Sequence, residues 1–261
     1  VGGGPAGMKA AAVLAERGHE TILLEAQKQL GGQALLAQSL PGRAEFGGII
    51  TNLAHEIRLH AVDTRLQTEA SPEMIEALAP DDVIIATGAK PHMPAGEFNE
   101  AHCLQAWDVV KGTAKPGARV LVADWRCDWV GPGVAEQLAR DGHKVTLCVN
   151  GETLGQSIQQ YVRFQLAGKL HDLQVRVIPF MRIFGADADT AYLQHIVTGT
   201  PEIVEDIDTV VMAWGSDPEL SLYAALTASA PDYRLHRIGD CLSPRTAEEA
   251  VLDALKCAAD L

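Results

Sequence analysis

Seven residues constrain this chain more than any others. Val1-Gly2-Gly3-Gly4-Pro5-Ala6-Gly7 sets glycines at positions 2, 4 and 7 directly before an alanine-rich stretch. A G-x-G-x-x-G loop is a weak signal alone, and its surroundings decide it. Here Met8 to Arg17 has high helix propensity, Gly18 ends that helix, and Glu20 to Leu24 reads as a strand with Glu25 at its end. Each part has a task in holding a dinucleotide. Gly2 permits the tight turn, Gly4 lets backbone approach a pyrophosphate, and Gly7 lets helix and strand pack closely. Pro5 and Ala6 open the helix, whose free N–H groups face the phosphates. Glu25, with Ala26 beside it, can accept hydrogen bonds from both hydroxyls of an adenosine ribose. Such a loop should follow a buried strand, which is nearly absent here, and no initiator methionine is present. The sequence therefore reads as a piece of a longer polypeptide.

Later turns point to one kind of dinucleotide. Leu30-Gly31-Gly32-Gln33 follows the acidic strand end, so Gly32 and Gln33 lie where the phosphates and ribityl chain of a flavin nucleotide would pass. Asp82 to Ala86 reads as a buried strand running into Ala86-Thr87-Gly88. Another strand ends at Gly239-Asp240, followed by a helix opening near Thr246 and Ala247. Asp240 would bond a ribityl hydroxyl, and that helix N-terminus would face the flavin or its phosphates. In this order the signals indicate FAD, or its ADP half, rather than free NAD.

The loop has a twin. Val13 to Leu23 matches Gln137 to Leu147 at an offset of 124 residues, with Gly18 on Gly142 and His19 on His143. The same offset puts Arg126 on Gly2, Asp128 on Gly4, Gly131 on Gly7 and Val149 on Glu25. Only the packing glycine survives. Asp128 would place a carboxylate near a pyrophosphate, and two like charges about 4 Å apart cost on the order of 4 kcal/mol at an effective dielectric of about 20. The second nucleotide fold is therefore expected to persist as scaffold with its NAD(P)H site lost. Trp125 and Trp129 flank the altered loop; they either fill the vacated cleft or present an indole to an electron-accepting partner.

Composition removes other classes. With 21 basic against 34 acidic residues the net charge is −13, which repels nucleic acid and anionic membranes. Five scattered cysteines form no CxxC, arguing against disulfide, zinc or iron–sulfur frameworks in this chain and for a reducing, cytoplasmic setting. No apolar run approaches the ~20 residues of a membrane helix. The histidines form no HExxH, no serine sits in a GxSxG elbow, and Asp187-Ala188-Asp189 is too poor in ligands for calcium. No metal ligands and no catalytic residues are assigned.

Residues 2–7, Leu30 to Gln33, Pro41-Gly42-Arg43-Ala44-Glu45-Phe46, Ala86-Thr87-Gly88 and the run from Ile238 to Ala250 together resemble the C-terminal half of multidomain old yellow enzyme-like flavoproteins. That branch includes 2,4-dienoyl-CoA reductase, trimethylamine dehydrogenase and related N-demethylases. The resemblance implies a preceding (β/α)8 barrel with FMN, a substrate pocket and a 4Fe–4S cluster, none of it in this sequence. It also implies cofactor contacts at Arg43 and, through backbone to adenine, Ala70. Reductase members bind FAD and NADPH in this half. Trimethylamine dehydrogenase-like members have a degenerate second loop, can hold only ADP at the first, and pass electrons to an electron-transfer flavoprotein. Arg126 and Asp128 place this chain nearer the dehydrogenases. The expected function is an electron-transfer module binding FAD or ADP; the alternatives are an NAD(P)H-driven reductase and a non-catalytic ADP-binding module. A homo-oligomer of the full-length protein is a further candidate partnership.

The expected architecture is α/β, with two Rossmann-like doubly wound domains, the second inserted into the first. The first domain takes residues 1–99 and 216–261, and the second 100–215. Residues 89–117 read as a connector rich in proline and glycine. The second domain should hold strands at 118–124, 144–149 and 174–180, helices at 131–142 and 158–173, and a β segment over 191–213.

Overall fold

The computed structural model describes residues 1–98, 101–229 and 231–261. The chain begins α1 (Pro5–Glu16), β1 (Ile22–Leu24), α2 (Ala34–Ala37), α3 (Gly47–Leu59), β2 (Asp63–Arg65), α4 (Pro72–Leu78), β3 (Asp82–Ile85) and β4 (Ala89–Pro91). It continues with β5 (Cys103–Gln105), α5 (Ala106–Lys111), β6 (Arg119–Asp124), α6 (Val130–Arg140), β7 (Lys144–Val149), α7 (Gln160–Asp172) and β8 (Arg176–Ile178). Then come β9 (Met181–Ala186), β10 (Thr190–His195), β11 (Pro201–Glu205), β12 (Thr209–Ala213) and β13 (Ser216–Pro218). The last elements are α8 (Ser221–Ala228), β14 (Arg234–Arg237) and α9 (Ala247–Ala259). Two units form. The first comprises Val1–Gln38, Ala44–Lys90 and Ser216–Leu261, and the second Ser39–Arg43 and Pro91–Gly215.

The first unit is organised around α1. Gly4 is its N-cap and Pro5 opens it, where a missing N–H costs nothing. One side of the helix packs Met8, Ala11 and Ala12 against Leu23, Leu53 and Ile57. The other packs Ala6 and Ala10 against Ala86, Ile238, Ala250 and Ala254. Alanine on both sides is what lets α3, α9 and the strands approach α1 closely. Parallel pairs β1–β2 and β3–β14 lie on either side of the chain start. Between them, the Val1 amine donates to the Ile84 carbonyl (2.7 Å), Ala86 N–H to Val1 (2.8 Å) and Gly2 N–H to Leu24 (2.8 Å). The glycine loop thus leaves from the carboxyl ends of β1 and β3.

The second unit carries a parallel sheet in the order β5–β12–β6–β7–β8. Alternation along β6 sends Val120 and Val122 to one face, with α5, α6 and α7, and Leu121 and Ala123 to the other. That second face is covered by the antiparallel meander β11–β10–β9. A parallel sheet covered on both faces explains why its strands are continuous apolar runs.

Both copies of the repeat end their helices alike. Gly18 has φ +95° and Gly142 +93°. His19 N–H bonds Leu14 and His143 N–H bonds Leu138, each at 3.0 Å. This left-handed glycine stops α6 at Arg140, short of the expected 142. Other differences are larger. The expected connector 89–117 contains an edge strand, β5, and the helix α5. The expected β segment 191–213 is three strands, and β9 precedes it. Helices α4 and α8 were not anticipated. The boundary expected between residues 99 and 100 falls on residues outside the described ones.

Candidate functional site

Each glycine of the first loop meets a different constraint. Gly2 has φ +100°, and a Cβ there would stand 2.3 Å from the Ala86 carbonyl oxygen. A Cβ on Gly7 would stand 1.9 Å from the Gly2 carbonyl oxygen. Gly4 differs: the nearest atom to a Cβ there is the Gly32 Cα at 3.9 Å, an ordinary contact, so the surrounding chain does not itself demand glycine. Gly32, at φ +51°, faces it in return. Two bare backbones meeting here let a pyrophosphate come close to the N–H groups beside them. The first turn of α1 contains no acidic residue, and no described side chain caps it. Its N–H groups and positive end remain available to an anion.

Glu25 ends the β1 segment and is buried. Its Oε2 accepts the Gly3 N–H at 2.6 Å, and its Oε1 accepts the Gln27 N–H at 2.7 Å. A carboxylate offers about four lone-pair sites. Two are used here to fix the side chain against the loop, and two remain for ribose hydroxyls. The Gly31 N–H bonds the Gly3 carbonyl at 2.8 Å, tying the second glycine turn to the first. Gly3 was absent from the expected contacts, although it lies in the same run; its role depends on folding, because it touches Glu25 through backbone alone.

The other expected residues are placed as follows. Pro5 and Ala6 lie in the first turn of α1, and Ala26 is exposed next to Glu25. Gln33 begins α2, and its amide nitrogen lies 3.6 Å from where a Cβ on Gly88 would stand. Thr87 Oγ1 donates to the Glu219 carbonyl at 2.8 Å, and Ala86 packs in the α1 core. Ala70 packs beside Ile75 and Val83. Gly239, at φ +62°, leaves only 2.7 Å between a Cβ and Ala6 Cβ, so it supports the loop from behind. Asp240 Oδ1 accepts the Arg245 N–H at 3.1 Å. The Thr246 N–H is engaged by Glu249 at 3.0 Å, and α9 continues from Ala247. Arg43 groups with the second unit, where its guanidinium carbon lies 3.5 Å from the ring centroid of Trp129.

The twin loop in the second unit is built differently. Its left-handed residue is Cys127 (φ +54°) rather than the position matching Gly2. Arg126 Nε pairs with Asp128 Oδ2 at 3.0 Å, and Asp128 Oδ1 accepts the Val130 N–H at 2.9 Å. Buried Asp124, at the end of β6, accepts the Cys127 N–H on Oδ1 at 3.0 Å. Among the described residues no group bonds its Oδ2. Burial, then the Asp128 carboxylate, pushes the Asp124 carboxyl up to about 8. Burial likewise pushes the Cys127 thiol up to about 12. Trp125 stacks on Trp214 with centroids 4.6 Å apart, and Trp129 lies under Arg43. Asp124 was not singled out from sequence, because at an offset of 124 its counterpart would precede Val1.

Comparison with known proteins agrees with this fold. The family model described as pyridine nucleotide-disulphide oxidoreductase matches residues 1–232. An N,N-dimethylglycine/sarcosine dehydrogenase of Chromohalobacter salexigens is 32% identical, the match covering all of this chain and 43% of that protein. A bilirubin reductase of Mediterraneibacter gnavus is 31% identical, covering 92% of this chain and 37% of the relative. Histamine dehydrogenase from Rhizobium sp. 4-9 shares the fold with a TM-score of 0.95 at 23% identity, over 100% of this chain and 43% of that one. The chain thus spans less than half the length of these relatives.

Proposed function

The chain belongs to the pyridine nucleotide-disulphide oxidoreductase family, and from that premise we propose that it is the dinucleotide-binding, electron-transfer module of a flavin-dependent oxidoreductase of amine dehydrogenase or N-demethylase type. The observation that carries this is the contrast between two copies of one loop. At Gly2–Gly7 the backbone is bare and the helix N-terminus open. At Arg126–Gly131 side chains stand where Gly2 and Gly4 do in the first copy, Arg126 pairs with Asp128, and Asp128 accepts the Val130 N–H at the start of α6. The first copy takes FAD or ADP, with Gly4 and α1 on the pyrophosphate and Glu25 on the ribose. For FAD, Gly32, Gln33, Thr87, Gly88 and Asp240 flank the ribityl chain. Bound FAD supplies a reversible two-electron acceptor, whereas ADP supplies none. The chain's own residues hold and orient the nucleotide; no proton transfer is assigned to them.

Substrate chemistry belongs to a partner (β/α)8 barrel with FMN and a 4Fe–4S cluster, and the outgoing acceptor is an electron-transfer flavoprotein. The setting is cytoplasmic; among the described residues no helix is long and apolar enough to cross a membrane. The likeness to a bilirubin reductase supports a second reading, an NAD(P)H-driven reductase. Two measurements separate them. Denaturing the purified protein and weighing the released nucleotide should yield FAD or ADP, and release of no adenine nucleotide refutes the first site. NADPH added without oxygen should leave any bound flavin oxidised; bleaching establishes the reductase instead.

A further inference from the structure

We propose that the outer face of the β11–β10–β9 meander is a contact surface for a second copy of this chain, paired about a two-fold axis along its apolar row. One side of the meander belongs to the core: Met181, Ile183, Ala186, Ala191, Leu193 and Val204 pack with residues of the parallel sheet. Alternation turns Phe184, Tyr192 and Ile203 the other way. Tyr192 stands opposite Ile203 in the ladder, and its ring centroid lies 6.3 Å from that of Phe184. The three form one row across all three strands. Phe184 is 48% exposed and Ile203 59%. An antiparallel sheet with one solvated face carries polar residues on that face as a rule. A contiguous apolar row in their place marks an interaction surface.

The charges beside the row select the occupant. On one flank is Arg182, whose guanidinium donates to the neutral Gln194 amide oxygen at 2.8 Å. On the other is Asp187, whose Oδ2 accepts the Tyr192 hydroxyl at 2.6 Å, so this carboxylate lies at the edge of the row. Phe184 falls midway between the two along β9 and the turn that follows it. A half-turn about the row therefore sets Arg182 of one copy over Asp187 of the other, twice, while the apolar residues face their own images. The same half-turn sets Glu205, opposite Thr190 in the ladder, over Pro201 rather than over another acid. A partner surface of a single sign would oppose one flank or the other. The face is small. Strands of five or six residues, about 4.8 Å apart, present on the order of 300 Å² in projection. A tight complex buries about 800 Å² per partner, so this pairing is weak and depends on concentration.

The test is sedimentation velocity of the whole chain, with the nucleotide that copurifies, from about 1 μM to about 1 mM. Wild type should move toward the mass of a dimer as concentration rises. Ile203→Glu, Arg182→Asp and Asp187→Arg should each weaken association at least tenfold. The double variant Arg182→Asp/Asp187→Arg exchanges the two flanks and should recover the association that each single change loses. Near-ultraviolet dichroism shows that each variant is folded, and Phe184→Arg takes the place of Ile203→Glu if that chain is not. A wild type that stays monomeric throughout would mean that another polypeptide covers the face, or none does. Dimers that survive Ile203→Glu or Phe184→Arg would mean that copies meet elsewhere. Single exchanges that associate like wild type, or a folded double variant that stays monomeric, would mean that Arg182 and Asp187 do not meet. Each of these overturns the proposal. Neither nucleotide loop takes part, so the outcome bears on this surface alone.

Discussion

Replacing Asp124 by asparagine should stabilise the second unit, and the gain should grow with pH. The ordinary carboxyl value is 3.8, and in the folded protein burial and Asp128 raise it to about 8. Between those values the folded state holds a proton that the unfolded state has released. Stability contributed by this group is therefore full below about pH 4, declines as pH rises, and levels off above about pH 8. Each pH unit in that window costs about 1.4 kcal/mol. Asparagine removes the titration while still accepting the Cys127 N–H. Its amide nitrogen finds no partner, costing about 1–3 kcal/mol, but that cost does not vary with pH. The stability difference between variant and wild type should thus shift by about 3 kcal/mol in the variant's favour from about pH 5 to about pH 7.5. Urea unfolding followed by tryptophan fluorescence reads it, since the stacked Trp125 and Trp214 adjoin the site. An equal difference at both pH values would refute the reasoning, because it would mean that Asp124 ionises normally.

Other substitutions probe the first site. Gly7→Ala would force a Cβ against the Gly2 carbonyl and should cost several kcal/mol with loss of bound nucleotide, whereas Gly18→Ala, with open space around it, should cost only about 1 kcal/mol of backbone strain; thermal melts with nucleotide quantitation compare them. Glu25→Ala should strand the buried Gly3 N–H, costing about 1–3 kcal/mol, and abolish adenosine retention; retention on desalting would count against the ribose role. Arg43→Ala should leave nucleotide content unchanged but destabilise the second unit by about 0.5–2 kcal/mol through loss of its contact with Trp129, visible as a shift in tryptophan emission.

What the sequence disclosed follows physical locality. The first loop, its helix, the acidic strand end and the Gly142-His143 repeat are all coded within short windows, and each folds as its pattern implies. Arg43 shows where locality fails. The resemblance implied a cofactor contact there, and the structure adds a stacking partner, Trp129, that lies far away in sequence and that no local pattern announces. Strand β9 was missed because Arg182 and Phe184 are exposed between buried neighbours, giving an alternation too brief to separate from a loop. Helices α4 and α8 are short and lean on tertiary packing. Asp124 escaped notice because a buried carboxylate at a strand end looks, in one dimension, like the last polar residue before a turn.

The division of the first unit into three stretches has a consequence for how the protein is made. Ala6 and Ala10 are covered by Ala250 and Ala254 of α9, and β3 gains β14, yet these partners are synthesised only after the whole of the second unit. Domains generally fold as units in the order in which they are synthesised. Here the middle of the polypeptide, Pro91–Gly215, can finish folding while the alanine flank of α1 still waits for its cover. Translation halted before Ser216 would release a sound second unit attached to an unfinished nucleotide cradle, and proteases would meet that end first.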